Sequence, residues 1–129
     1  MKEQLHRVLV PVLLGSSAQT LKIARRLHRR YGVISHLYCP HPRLAAHICT
    51  CLRVVRIPTF LQGALLCGDL CAFAAEYPDL LFCLIPCTEN YEHFCAAHQA
   101  ELESYYLIIH PEQLQNAALP YLHKEEVPV

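Results

Sequence analysis

The sequence predicts an α/β fold: a doubly wound, mostly parallel five-stranded sheet with helices on both faces. Three observations lead there. Continuous apolar runs such as Val8 to Leu14 and Leu80 to Ile85 suit strands covered on both sides. Segments with apolar residues three and four apart separate them, as amphipathic helices do. Strand and helix alternate along the whole chain, which implies right-handed crossovers and parallel neighbours.

Val8 to Leu14 reads as the first strand, with Pro11 ill suited to a sheet interior. After Gly15, Ser16 or Ser17 caps a helix whose apolar positions are Leu21, Ala24, Leu27, His28 and Tyr31, while Lys22, Arg25, Arg26, Arg29 and Arg30 mostly fall elsewhere. Gly32 ends that helix, and its basic last turn suits the helix dipole. Val33 to Cys39 is the second strand, broken by Pro40 and Pro42. Leu44 to Cys51 forms a short helix or an irregular crossing, and Leu52 to Ile57 a third strand closed by Pro58. Helical spacing returns from Phe60 to Tyr77, weakened by Gly63 and Gly68. Pro78-Asp79 turns into the strand Leu80 to Ile85. A helix from about Asn90 to Ser104, a strand Tyr105 to His110 and a helix opening at Pro111-Glu112 complete the pattern.

Such a Rossmann-like sheet takes the strand order 3-2-1-4-5, so the winding reverses between the first and fourth strands. Ligands sit outside the carboxyl ends of strands at that point, beside helix N-termini. The first junction is not a dinucleotide fingerprint, since only Gly15 of the three glycines is present, and no Walker Gly-Lys-Ser/Thr follows. An anion at residues 15 to 18 would rely on backbone amides and the serine hydroxyls.

With 129 residues, 53% of them apolar and 17% charged, the chain reads as one globular domain, residues 1 to 129, with a real core. Its longest apolar run, Val8 to Leu14, is far short of the roughly 20 residues of a membrane helix. Preceded by Lys2 and Arg7, that run imitates a secretory signal, but it leads into an amphipathic helix as a first buried strand does. The cytoplasm is the expected address, with neither a membrane nor a nucleic acid as partner.

Of the eight cysteines, Cys39, Cys67, Cys71, Cys83 and Cys95 lie in apolar segments, where thiols act as small buried hydrophobes. Reduced, structural cysteines are expected. Cys39, His41, His47, Cys49 and Cys51 gather soft donors within a short stretch, but without the Cys-x2-Cys knuckle that marks a zinc site, so no metal ligand is assigned. Cys87, at a helix N-terminus with His93 or His98 as a potential base, carries no nucleophile signature, so no catalytic residue is assigned.

The net charge of zero conceals a strong asymmetry. Residues 1 to 56 hold ten of the eleven Lys and Arg and one acid, Glu3; the rest hold Lys124 and the other ten acids. A polarised surface follows, with consequences for association or for anionic ligands.

Gly15, Ala24-Arg25, His28 and Tyr31-Gly32, followed by Pro86-Cys87-Thr88-Glu89-Asn90-Tyr91, resemble the N-terminal pre-ATP-grasp domain of carboxylate-amine ligases, in the D-aspartate ligase-like branch. The likeness runs in order and spacing over about residues 8 to 120. It implies a substrate-cleft domain that is not catalytic alone and that packs against an ATP-grasp catalytic domain in the full-length protein. That partner would bind ATP and magnesium; no cofactor is expected in this chain. An amino acid or small carboxylate is the implied ligand, and Gly15, Ser16, Ser17, Gln19, Arg25, Cys87, Thr88, Glu89, Asn90 and Tyr91 are the implied substrate-binding residues. Four positions depart from the family: Ser17 stands where an acid is common, Gln19 where an Asn is, Lys22 where a glycine within the helix is, and Glu89 replaces the usual Asp. The alternative is a free-standing Rossmann-like binding or regulatory domain whose polarised halves drive self-association, possible as a homodimer. An exposed apolar patch near Tyr121 to Val129 would favour the ligase, and a sealed polar end the alternative.

Overall fold

The structure, a computed structural model, describes residues 8–58 and 63–116. Five strands form one all-parallel sheet in the order β3-β2-β1-β4-β5, as expected. The strands are β1 (Leu9–Leu14), β2 (Ser35–Cys39), β3 (Leu52–Arg56), β4 (Leu81–Pro86) and β5 (Leu107–Ile108). The helices are α1 (Ala18–Tyr31), α2 (Leu44–Ile48), α3 (Ala64–Ala75), α4 (Glu89–Ala97), α5 (Gln99–Leu102) and α6 (Pro111–Asn116).

Period-two alternation sends successive side chains of each strand into two separate cores. Leu9 and Leu13 of β1, Leu37 of β2, and Cys83 and Ile85 of β4 pack with Ile23, Ala24 and Leu27 of α1 and Leu114 of α6. On the opposite face Val10, Val12, Leu14, Phe82 and Leu84 pack with Leu66, Cys67 and Leu70 of α3, Tyr91 and Cys95 of α4, and Leu102 of α5. β1 is buried throughout because it lies between two strands and under helices on both faces.

Pro11 is accommodated by register. The Gly15 amide reaches β2, donating to Tyr38 O at 3.0 Å, so at period two the Pro11 nitrogen points the same way. β1 pairs with β2 only from Val12 onward, and the missing N–H falls before that ladder begins.

Ser17 is the N-cap of α1, and Gly32 closes it in the left-handed conformation (φ 70°), with its amide on His28 O at 2.8 Å. The buried stripe of α1 is Thr20, Ile23, Ala24 and Leu27; Leu21 is half-buried and His28 exposed. The stripe is thus rotated from the expected one toward Ile23. The crossing after β2 is a short helix. The expected start of α3 at Phe60 lies outside the described residues.

Two further expectations are corrected. The helix foreseen from Asn90 to Ser104 is interrupted at His98 (φ −118°, ψ 25°), which caps α5 after α4 ends. The strand foreseen from Tyr105 to His110 shrinks to Leu107–Ile108, because the His110 amide turns to Gln113 Oε1 (2.7 Å) at the start of α6. No helix among the described residues is long and apolar enough to cross a membrane.

Candidate functional site

β1 and β4 run side by side, with Leu14 in register with Pro86, so the turns that follow them start as neighbours. The Cys87 amide donates to Leu14 O at 2.8 Å, which carries the β1–β4 pairing past the strand ends. Gly15 turns the chain at φ 95°, a conformation open to glycine at little cost. A β-carbon there would lie 2.7 Å from Thr88 Cγ2, 2.9 Å from Thr88 Oγ1 and 3.0 Å from Tyr91 Cδ2. The two turns therefore meet in direct contact.

Hydrogen bonds lock this arrangement. Thr20, buried in the first turn of α1, donates through Oγ1 to Gly15 O at 2.8 Å and accepts from the Ser17 amide at 2.9 Å. Ser17 Oγ donates across the switch point to Cys87 O at 3.1 Å. Ser16 Oγ accepts the Arg43 amide at 3.1 Å, tying the same turn to the loop after β2. Both serine hydroxyls and the Ser17 amide, the groups an anion at residues 15 to 18 would use, thus already have partners within the chain.

On the second turn, Thr88 is the N-cap of α4, and its carbonyl accepts the Glu92 amide at 3.0 Å. Tyr91 is buried and its ring meets Phe94 edge-on at 6.2 Å. Glu89 and Asn90 are exposed in the first turn of the helix. Cys87 is 6% exposed, its thiol 3.6 Å from Ile85 O, and burial pushes that thiol up to about 11. A thiolate is therefore disfavoured, and the dipole of α4 does not overcome the loss of water. His98, one potential base, faces Glu101 (3.5 Å) and the Phe94 ring (5.1 Å) instead.

Gly15, Ser17, Cys87, Thr88 and Tyr91 thus converge, with Glu89 and Asn90 beside them on α4. Gln19 and Arg25 are held apart from that cluster. Gln19 lines a shallow cleft of about 110 Å³ with Lys22, Ile23, Arg26, Pro111 and Leu114. Arg25 is exposed on α1, its charge felt by the Cys51 thiol. Comparison with protein-family models, with curated proteins and with solved structures returns no match for this chain.

All eight cysteines are free thiols. No three of Cys39, His41, His47, Cys49 and Cys51 bring their donor atoms within 4.8 Å of one another. Cys39 is buried in the sheet, while His41 and His47 are exposed.

Among the described residues, two groups of potential ligands come together that no spacing in the sequence marked. Glu92, His110 and Glu112 meet at the carboxyl end of β5, with His110 Nδ1 3.0 Å from Glu92 Oε1, beside a cleft of about 140 Å³ that Cys95, Gln99 and Glu103 also line. Cys67, His98 and Glu101 meet where α3 packs against α5. The only sequence signal for the second group is Cys67-x3-Cys71, one helical turn, which reads equally as two core positions.

Proposed function

We propose that this chain is the substrate-cleft and interface domain of an ATP-dependent carboxylate-amine ligase of the pre-ATP-grasp type, with catalysis residing in an ATP-grasp domain of the full-length protein. The observation that carries the reading is the contact of the Gly15 turn with Thr88 and Tyr91 at the switch point, where Rossmann-like sheets present ligands. Glu89 and Asn90, a carboxylate and a carboxamide in the first turn of α4, suit the ammonium and carboxylate of an amino acid or a small carboxylic acid.

ATP and magnesium would bind on the partner domain. Leu44 and Ile48, one turn apart on α2 and 79% and 74% exposed, give an apolar face for domain contact. The patch foreseen at Tyr121 to Val129 lies outside the described residues.

The test is the mass of the native product in its own cells, detected with an antibody to this domain. A product much heavier than 14.7 kDa supports the reading, and one of 14.7 kDa overturns it. In the heavier product, Glu89→Gln and Asn90→Ala should raise KM for the amine or carboxylate substrate and leave that for ATP unmoved. Unchanged substrate KM values would remove these residues from the cleft.

One observation favours a second reading, a free-standing small-ligand-binding or regulatory domain that self-associates. Strand order puts β1, β2 and β3, with the basic α1 that joins the first two and Arg53 and Arg56 of the third, on one side of the sheet and β4 and β5, flanked by acidic segments, on the other. A dimer that forms at low salt and dissociates at high salt would support it.

A further inference from the structure

Cys67 Sγ lies 3.6 Å from Glu101 Oε1, and His98 Nδ1 lies 3.5 Å from the same oxygen. The nitrogen–oxygen separation is long for a good hydrogen bond, the sulfur–oxygen one is ordinary for a thiol donor, and both match a shared tetrahedral ion. Zinc sits about 2.3 Å from sulfur and about 2.1 Å from nitrogen or oxygen, which sets sulfur and oxygen donors about 3.6 Å apart and nitrogen and oxygen donors about 3.4 Å apart. Cys71, one turn beyond Cys67 on α3, donates its thiol to Glu101 O at 3.8 Å; it stands outside the group formed by Cys67, His98 and Glu101 and would join it by turning from that carbonyl. By contrast, the 3.0 Å pair of Glu92 and His110 is an ordinary hydrogen bond.

The backbone supplies an independent observation. The helix that begins at Glu89 breaks at His98, although neither Gly nor Pro occurs between Glu89 and Leu102. His98 becomes the N-cap of α5, and the interruption brings both its ring and Glu101 against α3. We propose that Cys67, Cys71, His98 and Glu101 bind a thiophilic divalent cation, zinc, that clamps α3 to α5.

The electrostatics of the cluster agree. Ionising Cys67, whose sulfur is 3.6 Å from Glu101 Oε1, would place like charges together in a partly dry site. A dication reverses that balance and takes each cysteine as a thiolate. Each thiol that binds forms a sulfur–metal bond and releases one proton to solvent. Two soft sulfurs with an imidazole and a carboxylate favour zinc over magnesium or calcium, which prefer oxygen. The clamp is separate from the switch-point residues and does not depend on the ligase reading.

The test uses the whole chain, reduced and stripped of metal, titrated with zinc alone and with cobalt as a coloured substitute. One zinc per chain is expected, with protons released, a thermal midpoint that rises with zinc, and a thiolate-to-cobalt charge-transfer band. Cys71→Ser should weaken that band. His98→Gln and Glu101→Gln change partly exposed side chains and preserve the fold, and each should weaken zinc binding at least about tenfold. Unchanged circular dichroism in these variants separates lost ligation from lost folding. No binding at micromolar zinc, affinity undiminished from the unsubstituted chain in both of these variants, or dependence on Cys49 and Cys51 or on Glu92 and His110 instead would overturn the proposal.

Discussion

Gly15 and Thr88 approach so closely that no β-carbon fits between them, the built atom falling 2.7 Å from Thr88 Cγ2. Seventy-three positions apart in sequence, they mark where the two central turns of the sheet touch. Gly15→Ala meets two penalties: a left-handed backbone conformation and an overlap in a packed site. Together these should destabilise the fold by about 2–5 kcal/mol. Thr88→Ala removes the two closest overlaps but leaves the Tyr91 ring at 3.0 Å and the backbone strain. In a double-mutant cycle read by denaturant unfolding, Gly15→Ala should therefore cost less in the Thr88→Ala background. Simple additivity would show that the contact does not govern the turn.

Thiol reactivity offers a second check. Burial holds the Cys87 thiol up at about 11 and those of Cys83 and Cys95 at about 12, so at neutral pH all three are protonated and shielded. A thiol reagent on the native, metal-free chain should label the half-buried Cys49, Cys51 and Cys71 first, as mapped by mass spectrometry, and all eight cysteines only in denaturant. Rapid native labelling of Cys87 would restore it as a candidate nucleophile. The same raised values make stability present below the unfolded thiol value near 9 and lost as pH rises from there toward about 12.

At the acid end, His36 is the residue to follow. Its ring packs against Phe73 at 5.7 Å, and burial, aided by the Arg53 charge, holds its pKa below the ordinary 6.5. The unfolded chain therefore binds the proton first, so stability is full above about pH 6.5 and falls as pH drops toward the lower folded value. Urea unfolding should show a lower midpoint at about pH 5.5 than at about pH 7.5, and His36→Gln should flatten that difference. An unchanged difference in the variant would place the proton uptake at other histidines.

The strand order and the adjacency of the two turns were both legible, because buried parallel strands leave long apolar runs and glycine marks the turn at Gly15; that the turns touch where a cleft was expected was not. Local pattern failed where partners outside the segment decide. Ile23 replaces His28 in the buried stripe of α1 because the sheet beneath sets the rotation of the helix. The break at His98 has no Gly or Pro to announce it, and the shortening of β5 follows from a bond between His110 and Gln113. Family-like positions split for the same reason. Thr88 and Tyr91 meet Gly15, whereas Gln19 and Arg25 lie on parts of α1 that turn away from it. The convergence of Cys67, His98 and Glu101 joins helices about thirty residues apart, a relation no periodicity in one segment can report.

The brevity of β5 bears on how the sheet ends. An open edge is a template on which a foreign strand can build, the first step toward amyloid. With two residues, β5 offers too few free amides and carbonyls for a stable added strand. At the opposite edge, β3 is longer but carries the exposed guanidinium groups of Arg53 and Arg56, which repel a second copy of themselves. Both margins of a highly apolar sheet thus terminate growth, one by geometry and the other by charge.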